Sequence, residues 1–263
     1  MNRVSVGRVG AIAANVVREQ WRAKVSYFLA AYGLVLVLAL ALLPEIAAGN
    51  TTGKILLDIV LAGASLMGLA VAVFTGTRLL DREIERLTIL LSIAKPLSRT
   101  EFILGKHLGL SVVLIVVALA ATGMGLVALL PTGQVENLDW EAIGVTTIFA
   151  LVELVLLAAI ALLFSVITNG ILASGLTLAV YFMGHLSQDL LTIGVQLDTP
   201  WLRRLTEILY IILPDLERLN LKNLAVYGIL PDVGTLGLNA LYGAGYTVIV
   251  LCLTTFIFAR REF

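Results

Sequence analysis

Few residues in this sequence have the types and spacing that chemistry needs. Gly105-Lys106 has the form of the end of a phosphate-binding loop, but no glycine stands five residues earlier and His107 replaces the required Ser or Thr, so the chain cannot bind ATP that way. Ser174 and His185 have the types of a serine–histidine dyad. They fall in one short apolar helix, however, where eleven residues span about 16 Å and the two side chains cannot meet. His107, His185 and Cys252 supply all the imidazole and thiol in the chain, and no His-Glu-x-x-His pattern is present, so neither a metal site of that kind nor a disulfide is expected. No catalytic residue is assigned, and the sequence reads as a non-enzyme. Glu153 is different, because it stands alone in a long apolar stretch. A carboxylate at the centre of a bilayer costs about 2.5–3.5 kcal/mol. It should therefore turn inward, paired or protonated, either on a substrate path or coupling helices, or as a structural hydrogen bond to a neighbouring helix.

The elements that must position these residues are membrane helices. Of 263 residues, 59% are hydrophobic and only 14% charged, with 18 basic residues against 18 acidic ones. That balance excludes a soluble domain, a disordered chain and a nucleic-acid binder working through net positive charge. Charge-free runs long enough to cross about 30 Å of hydrocarbon place spans at about 25–44, 57–77, 108–130, 142–167, 170–186 and 235–259. The fourth and fifth are separated at Asn169-Gly170, a strong turn signal. The expected fold is thus an all-α integral membrane domain of six transmembrane helices over 1–263, the first span being retained because no cleavage pattern follows it. Thirteen basic residues fall in the N-terminal arm, the 78–107 loop and the C-terminus, against five on the other side, so both termini are expected in the cytoplasm of a cytoplasmic (inner) membrane.

Outside the spans, residues 1–24 carry an amphipathic helix with Val9, Ile12, Val16 and Val17 on one face and Arg8, Glu19 and Arg22 on the other. It either lies in the cytoplasmic interface as an elbow or packs on the protein. The 78–107 loop has a helical pattern through Leu80, Ile84, Leu87 and Leu91, a stop at Lys95-Pro96, and a capping box at Ser98 and Glu101 that opens a second helix. These helices continue spans two and three, so the loop is either a rigid charged elbow that a soluble partner can push or a solvated hairpin. Ala64, Gly68, Ala72 and Gly76 recur every four residues in span two, a stripe for close helix packing within the protomer or at a dimer interface. In 187–234, Thr199-Pro200 starts a helix that Pro214 ends, with Trp201, Ile208 and Ile212 on one face. It is expected at the outer interface, a re-entrant piece being the alternative.

The stretch from Asp81 through Glu83, Glu85, Thr88, Leu91-Ser92, Lys95-Pro96, Ser98-Arg99, Glu101 and Gly105-Lys106 resembles permease subunits of ABC-2 type ABC transporters, with Leu87 where a glycine often precedes the threonine. The ending Arg260-Arg261-Glu262-Phe263 resembles theirs too. The resemblance implies an exporter built from two permease copies, as homodimer or heterodimer, and two cytoplasmic ABC ATPase subunits. It places ATP and Mg on the ATPase and none on this chain. It makes the 78–107 loop a coupling element, with Asp81, Glu83, Glu85, Thr88, Lys95, Pro96, Ser98, Arg99, Glu101, Gly105 and Lys106 as coupling residues. Membrane lipid is a partner and nucleic acid is not. A subunit transmitting force to a periplasmic partner is the rival reading, and a secondary transporter a weaker one.

Overall fold

The computed structural model of the chain describes residues 5–23, 25–46, 52–85, 98–132, 138–187, 189 and 200–260. Among them there are helices and short 3-10 turns and no strand: α1 (Val6–Ala23), α2 (Val25–Ile46), α3 (Thr52–Glu85), α4 (Arg99–Leu129), α5 (Trp140–Ile167), α6 (Gly170–His185), α7 (Pro200–Ile212), α8 (Lys222–Val226) and α9 (Val233–Arg260). Four of these, α3, α4, α5 and α9, are long and apolar enough to cross a membrane, and a fifth crossing is reached if α1 and α2, bent by 51°, form one broken span. The segment expected as the fifth span, 170–186, is a helix of 16 residues. At 1.5 Å per residue that is about 24 Å, short of the hydrocarbon thickness.

Local chemistry sets the helix boundaries. Asn169 divides α5 from α6 as expected, its side chain accepting from the Leu172 N–H at 3.0 Å. Asp139 caps α5 in the same way through the Ala142 N–H, and Asp232 caps α9 through the Thr235 N–H and hydroxyl. α3 runs unbroken for 34 residues, so the second span continues into the loop expected over 78–107. That helix carries Asp81, Glu83 and Glu85 on its last turns.

α3, α4 and α5 form the centre of the bundle. Leu110, Leu114 and Val117 of α4 interlock with Val71 and Ala72 of α3 and Leu156 and Leu157 of α5, all fully buried. The stripe of small residues on α3 faces α5: a Cβ on Gly68 would stand 2.4 Å from a Leu154 methyl, and one on Gly76 would stand 2.9 Å from the Ala161 Cβ. Ala64 and Ala72 on the same stripe are buried. The stripe therefore brings two helices of one protomer together. α9 seats Gly243 against Val152 and Leu219 and turns Leu238, Leu241, Ile249, Leu253 and Phe256 outward. Exposed apolar faces of this kind suit a hydrocarbon solvent.

α1 packs on the protein. Its contacts advance in step with α4, from Ser5 at Glu101 to Ile12 at Gly105 and Val16 at Gly109, so the two helices run parallel. Val9 and Val16 are buried there while Val6 and Trp21 stay exposed. Val9 and Val16, on the apolar face of this amphipathic helix, are covered by α4.

The outer segment expected over 187–234 divides at Pro214. α7 keeps Trp201, Ile208, Ile211 and Ile212 exposed, whereas Leu216, Leu219, Leu221 and Ala225 are buried in the bundle. The inserted stretch is held where α6 ends, the Leu216 N–H donating to the Gly184 carbonyl at 3.1 Å. A Cβ at position 184 would meet the Pro214 carbonyl at 2.7 Å, so glycine is needed for this approach.

Candidate functional site

The first site lies where α1 and α4 begin and α9 ends. Ser98, in extended conformation, accepts from the Glu101 N–H at 3.2 Å and donates its own N–H to Glu101 Oε2 at 2.9 Å, completing the expected capping box. The same carboxylate accepts the Ser5 N–H at 2.6 Å and stands 3.6 Å from Arg8 Nη1. Ser5 is the residue that opens α1, its carbonyl receiving the Arg8 and Val9 N–H groups. One buried carboxylate therefore serves the N-termini of two helices, where unsatisfied N–H groups and the helix dipole favour negative charge. Arg99 does the converse at the end of α9, donating from Nη1 to the carbonyls of Phe258 and Ala259 at 2.8 Å each. Beside it Phe102 stacks on Phe258 with centroids 5.7 Å apart, and Lys106 Nζ stands 5.5 Å from the Phe102 ring centre.

Gly105 and Gly109 supply the surface on which α1 sits. A Cβ at 105 would be 2.7 Å from Ile12 Cβ and 3.1 Å from the Val9 carbonyl, and one at 109 would be 2.8 Å from the Ala13 carbonyl. This small-xxx-small spacing lets backbones approach, and Gly109 was not singled out from sequence although the spacing Gly105-x-x-x-Gly109 was there to find. A second knot ties α3, α5 and α6: the Ser165 hydroxyl donates to the Thr77 carbonyl at 2.8 Å, and the hydroxyls of Thr77 and Ser174 are 2.8 Å apart.

Of the expected coupling residues, Glu101, Gly105 and Lys106 are thus buried in this frame and Arg99 is engaged with α9. Ser98 caps α4. The backbones of Asp81, Glu83 and Glu85 continue α3, and Thr88, Lys95 and Pro96 lie outside the described residues.

The second site is inside the bundle. Glu153 on α5 is buried and its Oε1 stands 3.4 Å from His185 Nε2 on α6. His185 Nδ1 lies 3.0 Å from the Tyr181 carbonyl. A carbonyl has no hydrogen to give, so Nδ1 is the donor in that contact, and Nε2 faces the carboxylate without a hydrogen bond to it. Tyr181 closes the pocket, its ring 4.4 Å from the imidazole. Beyond the pair, Asp215 receives the Ser187 hydroxyl at 3.0 Å and Arg218 Nε at 2.9 Å, while its N–H donates to the Tyr242 hydroxyl at 2.8 Å. That network fixes the inserted stretch to α9. Sequence reasoning identified Glu153 but not its partner. Glu153 and His185 stand sixteen residues either side of Asn169, and residues equidistant from the turn of a helical hairpin come to equal depth.

Long apolar helices with lipid-compatible outer faces, small-residue helix contacts and buried polar knots define a multi-pass helical membrane protein. The chain belongs to the ABC-2 family transporter protein family, which it matches over residues 30–263. No curated protein matches it. Membership makes the chain a membrane permease of the ABC transporter class, and the family implies an ABC ATPase subunit as partner.

Proposed function

We propose that the chain is the membrane-spanning subunit of an exporter, and that it converts ATP hydrolysis on two separate ATPase subunits into movement of a substrate across the cytoplasmic membrane. Two permease copies, identical or related, complete the complex. ATP and Mg belong to the ATPase pair. In this reading the six passes of the chain are those expected at about 25–44, 57–77, 108–130, 142–167, 170–186 and 235–259, with 1–24 as an elbow helix before them, all within one domain over 1–263, and both termini face the cytoplasm, where the basic residues concentrate. The 78–107 region is the coupling element, with Asp81, Glu83, Glu85, Thr88, Lys95 and Pro96 among its coupling residues.

One observation carries the reading: Glu101 and Arg99, both in the first turn of α4, hold α1 and α9 as well. A push on the segment between α3 and α4 therefore moves three helices and the end of a fourth as one body. Arg99, Glu101, Gly105 and Lys106 transmit the push from within, and the acidic residues at the end of α3 receive it. Co-purification of the chain with its ATPase, with charge reversal at Glu83 and Glu85, tests this. Loss of association or a severalfold fall in ATP turnover is expected; unchanged association and turnover in both variants overturns it.

A second reading, force transmission to a periplasmic partner, draws support from the 214–226 stretch, which joins the outer segment to the level of Glu153. Function lost with substitutions at Pro214–Tyr227 but retained with Glu153→Gln favours it; the reverse favours a substrate path.

A further inference from the structure

Glu153 and Tyr246 are each the fourteenth residue of a 28-residue helix, α5 and α9, and so mark the middle of the bundle. The outer segment reaches both of these levels. The Tyr246 hydroxyl donates to the carbonyl of Ile212, the last residue of α7. The Leu216 N–H donates to the carbonyl of Gly184, the neighbour of the His185 that meets Glu153. From there the chain climbs back outward. Leu219 packs on Gly243, the Leu221 carbonyl accepts from the Thr146 hydroxyl, and Gly228 comes beside Asp139, the cap that opens α5. Irregular backbone at such depth is tolerated where protein buries it or where it lines water.

α7 is amphipathic. Trp201, Ile208 and Ile212 lie along one of its faces, and Arg203, Glu207 and Tyr210 along another. Arg203 Nε and Glu207 Oε1 pair at 3.1 Å, yet the side chains are 59% and 49% exposed. At 1.5 Å per residue Glu207 stands at most about 7.5 Å, and Arg203 at most about 13.5 Å, above Ile212 in depth, whatever the tilt of α7. Both distances fall within half a hydrocarbon core, about 15 Å. The polar strip continues past the end of the helix. Arg218 donates from Nη2 to the Tyr210 hydroxyl at 3.5 Å and from Nε to the buried Asp215 carboxylate at 2.9 Å, and its side chain is 43% exposed. A charge turned to lipid at the bilayer centre costs about 2.5–3.5 kcal/mol. Three exposed charged side chains in one strip at this depth therefore call for water against them.

We propose that α7 enters the membrane from the outer face and lines a water-filled passage to the level of Glu153, with Arg203, Glu207, Tyr210 and Arg218 on its wet wall and Ile208 and Ile212 against lipid. A wall that carries both signs of charge suits a hydrophilic solute and excludes an alkyl chain. That such a solute is the exported substrate rests on the permease reading; the water does not.

The test uses the full chain in nanodiscs, with Cys252→Ala removing its single thiol. One nitroxide at a time is attached to Trp201→Cys, Glu207→Cys, Ile208→Cys, Tyr210→Cys or Ile212→Cys. Its collisions with oxygen, which enters lipid, and with a water-soluble nickel chelate are measured. The oxygen-to-nickel ratio is expected to rise severalfold from 201 through 208 to 212, and nickel collisions at 207 and 210 to exceed those at 208 and 212 severalfold. Equal ratios at 201, 208 and 212 place α7 flat on the outer surface, and nickel collisions at 207 and 210 no higher than at 208 and 212 make the wall dry; either result overturns the passage. ATP turnover of the complex with its ATPase, measured on the same samples, separates the two ideas. A wet, graded α7 in a chain that binds no ATPase leaves the passage standing and refutes the permease reading, while normal coupling with a flat or dry α7 does the opposite.

Discussion

A single carboxylate at position 101 satisfies backbone donors of two helices that are 96 residues apart in contact. Half of this arrangement is legible in the sequence, since Ser98 and Glu101 have the spacing of a capping box; the other half, the grip on Ser5, depends on a tertiary contact that spacing does not encode. Ser98→Ala removes the cap and is expected to lower stability by about 1 kcal/mol, read as a fall in thermal midpoint. Glu153 was legible as an isolated charge, and its partner would have been found by counting outward from Asn169. Glu153 Oε1 and His185 Nε2 stand 3.4 Å apart, so a double-mutant cycle with Glu153→Gln and His185→Gln should give a coupling of about 0.5–3 kcal/mol. Strict additivity would mean that the two side chains do not interact. Asp232 makes a prediction about pH. Bonds from the Thr235 hydroxyl and N–H hold its carboxyl below the ordinary carboxylate value. A lowered folded-state value makes the cap's contribution complete above the unfolded value of about 3.9 and lost as pH falls through the folded one. The stability advantage of wild type over Asp232→Ala should therefore be constant near neutrality and shrink on acidification below about pH 4; an advantage independent of pH would refute the charged cap.

Among the elements, α1 shows most clearly what hydrophobic pattern leaves open. An amphipathic stripe states that one face is covered and is silent on whether lipid or protein covers it. Gly105 and Gly109 decide the matter by removing the side chains that would keep α1 away. Leucine at 109 would drive its Cβ into the Ala13 backbone, which cannot yield as a flexible side chain does. Overpacking of this kind costs about 1–3 kcal/mol, so Gly109→Leu should detach α1 and expose the Arg8–Arg22 stretch to protease. Unchanged protease resistance and thermal midpoint would show that α1 is not seated there. The bounds of α6 are legible in the sequence, with 170–186 expected and Gly170–His185 observed; what meets its end is not. The apolar run continues to Leu186, and only the contact of Pro214 and Leu216 on Gly184 shows where the chain turns to admit the 214–226 stretch.

For the whole molecule, composition and charge-free runs were enough for an all-helical membrane fold, and the motif between Asp81 and Lys106 was enough for the family. What they could not supply is how the parts are joined, because the contacts that join them pair residues from opposite ends of the chain, as Arg99 does with Phe258 and Ala259. Those contacts make the α1/α4/α9 end a single mechanical unit. The central claim is that an ATPase seats on the segment leading into that unit. The most direct measurement places a photo-cross-linking residue at position 90, and for comparison at position 201, in the complex assembled with its ATPase. The account predicts an adduct between the chain and the ATPase from position 90 and none from 201; an adduct from 201, or none from position 90 in a complex that hydrolyses ATP, would contradict it.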